Sequence, residues 1–163
     1  MYFRIKFLIV AMLLIYIFPV NVFAYEDVWT ASFLAFDSKG QSYWTSENIV
    51  FDGNLSKEDK TKYIFTRLFK DSNKENVYTF PKGIEIYDVK FKGDLLILNI
   101  SRDILYYSQG SYYEVILKNK IVKTALGIEN INKVTLLIEG ELANLSKGST
   151  IYRVSEWDFM NIK

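Results

Sequence analysis

Carboxylates, lysines and tyrosines are the side chains with which this chain could do chemistry, because it contains no histidine and no cysteine. Their absence removes Ser-His-Asp and Cys-His nucleophilic machinery. It also removes zinc sites built from imidazole or thiolate. A Ser-x-x-Lys nucleophile motif is missing as well. Two carboxylates facing each other across a cleft could still cleave a glycosidic bond. Glu85, Asp88, Glu139 and Glu141 are the candidates. Strand alternation, however, assigns Glu139 and Glu141 to solvent-facing strand or turn positions, where a charge is normally just hydrated. The expectation is therefore a protein with no catalytic residue and no metal ligand.

The densest local feature is aromatic: Tyr106-Tyr107-Ser108-Gln109-Gly110-Ser111-Tyr112-Tyr113. Flat rings with a polar tip anchor protein interfaces and can stack on sugars. Tyr106, Tyr107, Tyr112 and Tyr113 are thus the candidate interface, toward an envelope protein, another copy of the chain, or peptidoglycan. The plainer alternative is that Tyr106 and Tyr112 fill the core while their neighbours cover it. Three Asn-x-Ser sequons, at Asn54, Asn99 and Asn144, carry no assigned role.

The first residues place such a surface outside the cytoplasm. Arg4 and Lys6 precede an apolar block from Phe7 to Phe18, then Pro19, Asn21 and the small-residue ending Val22-Phe23-Ala24. That order is a secretory leader over residues 1–24, cut after Ala24. The competing reading is an uncut anchor, since no charge interrupts the run from Phe7 to Ala24; membrane contact is expected only through that segment. Loss of Arg4 and Lys6 leaves 18 of the 20 basic residues against all 19 acidic ones. Such a balance offers nucleic acid no basic face.

The remainder reads as a single domain over 25–155 with a C-terminal tail over 156–163, whose Trp157 and Phe159 are expected to dock back. Trp29, Ala31, Phe33 and Ala35 share one parity in Val28–Phe36, and Gln41–Phe51 follows after Asp37-Ser38-Lys39-Gly40, which predicts a hairpin. Ser56 with Asp59 resembles a capping box, and Ile64, Phe65, Leu68 and Phe69 give a helix ending near Lys70. A second hairpin turns at Lys92-Gly93-Asp94, with a parity shift near Asp88 suggesting a bulge. A second helix carries Tyr112, Val115, Ile116, Asn119, Val122 and Leu126 as its stripe, with Gly127 as its cap. Val134, Leu136 and Ile138 then alternate with Thr135, Leu137 and Glu139 in a strand, and a short last strand is expected over Thr150–Val154. The class is α+β: a mainly antiparallel or mixed sheet with two helices packed on one face.

Between Phe80 and Gly140 the chain resembles the GerMN domain family of sporulation and spore germination. The likeness rests on Phe80-Pro81-Lys82-Gly83 before a strand, the Gly93-Asp94 turn, and Leu98-Asn99-Ile100-Ser101 at a strand end. It continues through Ile121-Val122-Lys123-Thr124-Ala125-Leu126 and a strand from Val134 to Gly140. The resemblance implies a non-enzymatic envelope module, similar to ring-building domains of secretion-like assemblies, with no cofactor and no catalytic residue. Its motif positions here are Pro81, Gly83, Gly93, Asn99, Ser101, Thr124, Val134 and Gly140. Asn99 stands where the family usually has an acidic residue, there is one copy of the domain, and no lipobox cysteine is present.

Overall fold

The computed structural model describes residues 27–37, 39, 41–51, 54–70, 78–107, 110–142 and 144–155, without the side chains of residues 32, 34 and 36. The leader, the tail and the expected docking of Trp157 and Phe159 lie outside these residues. Among the described residues, no helix is long and apolar enough to cross a membrane.

β1 (Asp27–Phe36) and β2 (Ser42–Phe51) form the expected antiparallel hairpin, registered from Asp27 opposite Phe51 to Phe36 opposite Ser42. They make a sheet of their own rather than joining the downstream strands. Ala31, Ile49 and Phe51 pack on Ile64 of α1 (Lys57–Lys70), while Val28 and Val50 on the opposite face stay exposed. That helix starts where the capping pattern said it would. Ser56 Oγ accepts the Asp59 N–H at 3.0 Å and donates to Asp59 Oδ2 at 2.6 Å. Glu58 and Asp59 in the first turn and Arg67 and Lys70 in the last complement the helix dipole.

β3 (Ile86–Lys92) and β4 (Leu95–Ile100) pair antiparallel, with the register shift between Ile86 and Asp88 that the parity change suggested. β5 (Lys133–Ile138) adds parallel to β4, giving a mixed sheet in the order β3-β4-β5. A parallel neighbour requires a crossover. Here a 3-10 turn (Arg102–Leu105) and α2 (Ser111–Leu126) supply it. Leu96, Leu98 and Ile100 on one face of β4 are fully buried under Phe65, Leu68 and Phe69 of α1 and Leu117, Ile121 and Ala125 of α2. Each such side chain contributes about 1.5–3 kcal/mol by leaving water.

Three expectations need correction. The stripe on α2 is out of phase with Tyr112, Val115, Asn119 and Leu126. Tyr112 is exposed, whereas Tyr113, Glu114, Leu117, Lys120, Ile121, Thr124 and Ala125 join Ile116 and Val122 inside. The cause is that α2 packs against β1 as well as β5, so more than one side is covered. Gly127 does end the helix, its N–H reaching Lys123 O at 3.0 Å, but in a right-handed conformation (φ −77). Thr150–Val154 is not a strand: only Val154 forms a bridge, with Val134, and Arg153 at φ 50 breaks the extended run. Finally, Thr135 is buried too, because its Oγ1 accepts the Arg153 N–H at 3.0 Å beneath that irregular segment.

Candidate interaction surface at the tyrosine loop

The loop between β4 and α2 is built on a buried charge. Glu114 has no exposed surface. Its carboxylate accepts the Tyr107 hydroxyl, the Lys147 N–H at 2.5 Å and the Ser149 N–H at 2.7 Å. Burial alone would raise its pKa. The donors from Tyr107, Ser149 and Lys147 outweigh that effect and hold it below the ordinary value. Tyr107, half-buried and bonded to the same carboxylate, has its phenol pushed up to about 12. Ser146 Oγ donates to Leu105 O at 2.6 Å, and Leu145 sinks into the core, so the segment after β5 is fastened beneath the loop.

Four rings extend outward from this anchor. Tyr107 lies against Tyr113 with centroids 5.7 Å apart, Tyr113 against Tyr78 at 5.7 Å, and Tyr78 edge-on to Tyr112 at 6.1 Å. The Tyr113 hydroxyl donates to Thr79 O, and buried Lys120 donates to Tyr78 O at 2.7 Å. Lys120 and Tyr113 thereby hold the backbone at Tyr78–Thr79 to α2. The alternation is the reverse of the core-filling expectation: Tyr107 and Tyr113 point in, while Tyr106 is 69% and Tyr112 64% exposed. Two large aromatic rings therefore face solvent, Tyr106 at the end of the 3-10 turn and Tyr112 in the first turn of α2.

The motif positions have structural work elsewhere. Ser101 clamps Glu85 twice, its N–H to Glu85 O at 2.9 Å and its Oγ accepting Glu85 N–H at 3.1 Å. Asn99 Oδ1 accepts the Gly140 N–H at 2.8 Å, and Glu139 (φ 52) and Gly140 (φ 88) form the tight turn after β5. That role needs an acceptor rather than a charge, which is why asparagine serves. Gly83 (φ 88) and Gly93 (φ 61) occupy turn conformations that a Cβ disfavours. Pro81 precedes the first of these, and Thr124 and Val134 are buried packing positions.

The carboxylates proposed for glycan chemistry are not gathered across a cleft. Glu139 pairs with Arg102 at 2.9 Å, Asp88 pairs with its neighbour Lys90, and Glu85 and Glu141 are exposed. Among the described residues, no cluster of acidic side chains could hold a metal ion. Sequence reasoning missed the buried Glu114, Lys120 and Lys60. The signal available was weak: each polar residue sits among apolar neighbours at helical spacing, but a charge on such a stripe reads as solvent-facing.

A profile of the Germane family, described as sporulation and spore germination, matches residues 33–144. Among solved structures, the chain is similar to the first GerMN domain of the sporulation protein GerM from Bacillus subtilis, at 20% identity and TM-score 0.59, over 81% of this chain and 99% of that one. It is similar to the tandem GerMN domains of the same protein at 15% identity and TM-score 0.55, over 85% of this chain and 50% of that one. A protein from Clostridium perfringens assigned as a lipoprotein matches at 16% identity and TM-score 0.53, over 86% and 94% of the two chains. No curated protein sequence is significantly similar to the chain.

Proposed function

The chain belongs to the Germane family of sporulation and spore germination domains, and from that premise we propose that it is an exported, non-catalytic assembly module of the cell envelope. In this reading residues 1–24 are the leader and 25–155 the module. Its partner is another envelope protein or a further copy of the chain, and it requires no cofactor. The observation that carries the reading is the exposure of Tyr106 and Tyr112, each the chain neighbour of an inward tyrosine of the Tyr107–Tyr113–Glu114 framework. Rigid aromatic anchors lose little entropy when they dock, which suits an interface.

The same rings could stack on peptidoglycan sugars, and one double variant read in two assays separates the two cases. The double variant Tyr106→Ala, Tyr112→Ala removes exposed rings and should leave the thermal midpoint within a few degrees, since surface changes cost about 0.5 kcal/mol or less. Cross-linking in intact cells followed by mass spectrometry should show defined envelope-protein adducts that fall at least tenfold in the variant. Sedimentation of the purified protein with cell-wall sacculi, abolished in the variant while the adducts persist, would replace the assembly reading with wall binding.

A further inference from the structure

The strand edges of this chain are not equally protected. Beside β5 the chain returns, with Val134 bridged to Val154 and Ile138 to Glu141. Along β3 the register shifts between Ile86 and Asp88, and Lys90 and Lys92 are exposed. Bulges and edge lysines keep a further strand from adding to a sheet. β1 has the flank of α2 alongside it. Among the described residues, β2 has no such protection. It pairs with β1 in an unbroken register and contains no proline, lysine or arginine. Its one charge, Glu47, is taken by Arg67 at 2.8 Å.

Which backbone groups lie on the free side of β2 follows from the ladder. Asp37 N–H bonds Gln41 O at 3.0 Å, and the same register continues from Phe36 opposite Ser42 to Asp27 opposite Phe51. Bonded and non-bonded pairs alternate along an antiparallel pair. Counted from Asp37 and Gln41, the residues of β2 that aim N–H and C=O at β1 are Tyr43, Thr45, Glu47, Ile49 and Phe51. Ser42, Trp44, Ser46, Asn48 and Val50 therefore aim theirs away from it. All five are exposed and uncharged. A second observation concerns the face toward α1. Tyr43 and Thr45 share the parity of buried Ile49 and Phe51, yet both are exposed.

We propose that a second copy of the chain adds its own β2 to this edge, antiparallel, about a two-fold axis at Ser46. The proposal rests on the assembly reading and names the partner as a copy of the chain, held at a surface separate from Tyr106 and Tyr112. The axis sets Ser42 opposite the partner's Val50, Trp44 opposite the partner's Asn48, and Ser46 opposite the partner's Ser46. Every outward N–H and C=O of β2 then finds a ladder bond, as an isologous contact requires. An axis at Trp44, Thr45 or Asn48 leaves edge groups unpaired. One at Glu47 sets two carboxylates directly opposite each other, which is unfavourable. With the axis at Ser46, Glu47 faces the partner's Thr45. The partner's Tyr43 lies opposite Ile49, which gives the exposed ring on the α1 side an apolar neighbour.

The chain has no cysteine, so each single substitution reports one position. Across a hydrogen-bonded antiparallel pair the Cα atoms are about 5.5 Å apart, within disulfide reach. In intact cells making the full chain, Ser46→Cys should form disulfide-linked dimers under mild oxidation at least about fivefold faster than Lys82→Cys, an exposed position before β3. Adding Asn48→Pro deletes an outward N–H while taking none from the β1 ladder, and should lower the rate to that of Lys82→Cys. The comparison of the two cysteines stands whether or not the proline variant folds. Adding Tyr106→Ala with Tyr112→Ala should leave the rate unchanged. Equal rates for Ser46→Cys and Lys82→Cys overturn the proposal, and so does cross-linking lost with the two tyrosines. If the edge fails while the tyrosine-dependent adducts persist, the second copy is removed as partner and the assembly reading stands.

Discussion

Glu114 shows how one residue can decide a surface without belonging to it. Its carboxylate satisfies two backbone N–H groups that would otherwise lack a partner, and it accepts the Tyr107 phenol as well. Glu114→Ala leaves both N–H groups orphaned and should cost about 2–5 kcal/mol, because each unsatisfied buried group costs roughly 1–3 kcal/mol. Glu114→Gln keeps an acceptor but turns a donor toward another donor, and should cost less. The lowered pKa gives this contribution a sign. A carboxylate depressed in the folded state stabilises fully above its unfolded value, and that stability is lost as pH falls through the folded value. Urea midpoints of the parent chain should therefore fall below about pH 4.5, and those of Glu114→Gln should fall less steeply. Parallel curves would remove Glu114 from the acid response. None of this pairing was legible in the sequence, where Tyr107 stands out only as one of four clustered tyrosines and Glu114, seven residues on, carries no signal. The same is true of which tyrosines turn inward, since that depends on the loop geometry Glu114 imposes.

At the scale of the elements, local pattern succeeded wherever a segment has one buried side. The β1–β2 parity, the Ser56 cap and the alternation of Leu96, Leu98 and Ile100 all stood in the sequence because each segment meets the core once. It failed at α2 and at Thr150–Val154. Helix α2 is covered by β1 as well as by the three-stranded sheet, so its apolar residues no longer trace one stripe. The last segment follows the edge of β5 through one bridge and side-chain bonds, a form of cover that has no period. β5 lies between these cases. Leu136→Asp places an unpaired charge among the helices and should abolish folding. On alternation alone its neighbour should tolerate change, but Thr135 is 5% exposed and holds Arg153. Thr135→Val should therefore cost about 1–2 kcal/mol by orphaning that N–H, and Thr135→Asp should be more harmful than a surface change. Thermal melts decide the order; a neutral Thr135→Val would show that the segment after Gly140 contributes nothing to β5.

The molecule as a whole is two sheets joined through helices, and the joint is uneven. β4 is paired on both edges, and its inward side chains Leu96, Leu98 and Ile100 are sealed within the large apolar cluster. The hairpin has its own two strands, the flank of α2 along β1, a four-residue cluster of Ala31, Ile49, Phe51 and Ile64, and an outer face on which Val28 and Val50 meet water. Trp29 and Phe33 connect it to the larger cluster. Two ion pairs add to the attachment, Lys60 with Asp27 at 2.5 Å and Arg67 with Glu47 at 2.8 Å. The second of these is exposed at both partners, and such pairs contribute little, about 0–1 kcal/mol. A two-stranded sheet is marginal on its own, so the hairpin should open without unfolding the rest. Native-state hydrogen exchange checks this directly. Amides of β4 and β5 should exchange only through global unfolding, whereas those of β1 and β2 should show an opening free energy lower by roughly 2 kcal/mol or more and a weaker dependence on denaturant. If the two groups share one free energy and one slope, the hairpin and the three-stranded sheet are a single cooperative unit, and the small cluster around Ile64 holds them together far more strongly than its size suggests.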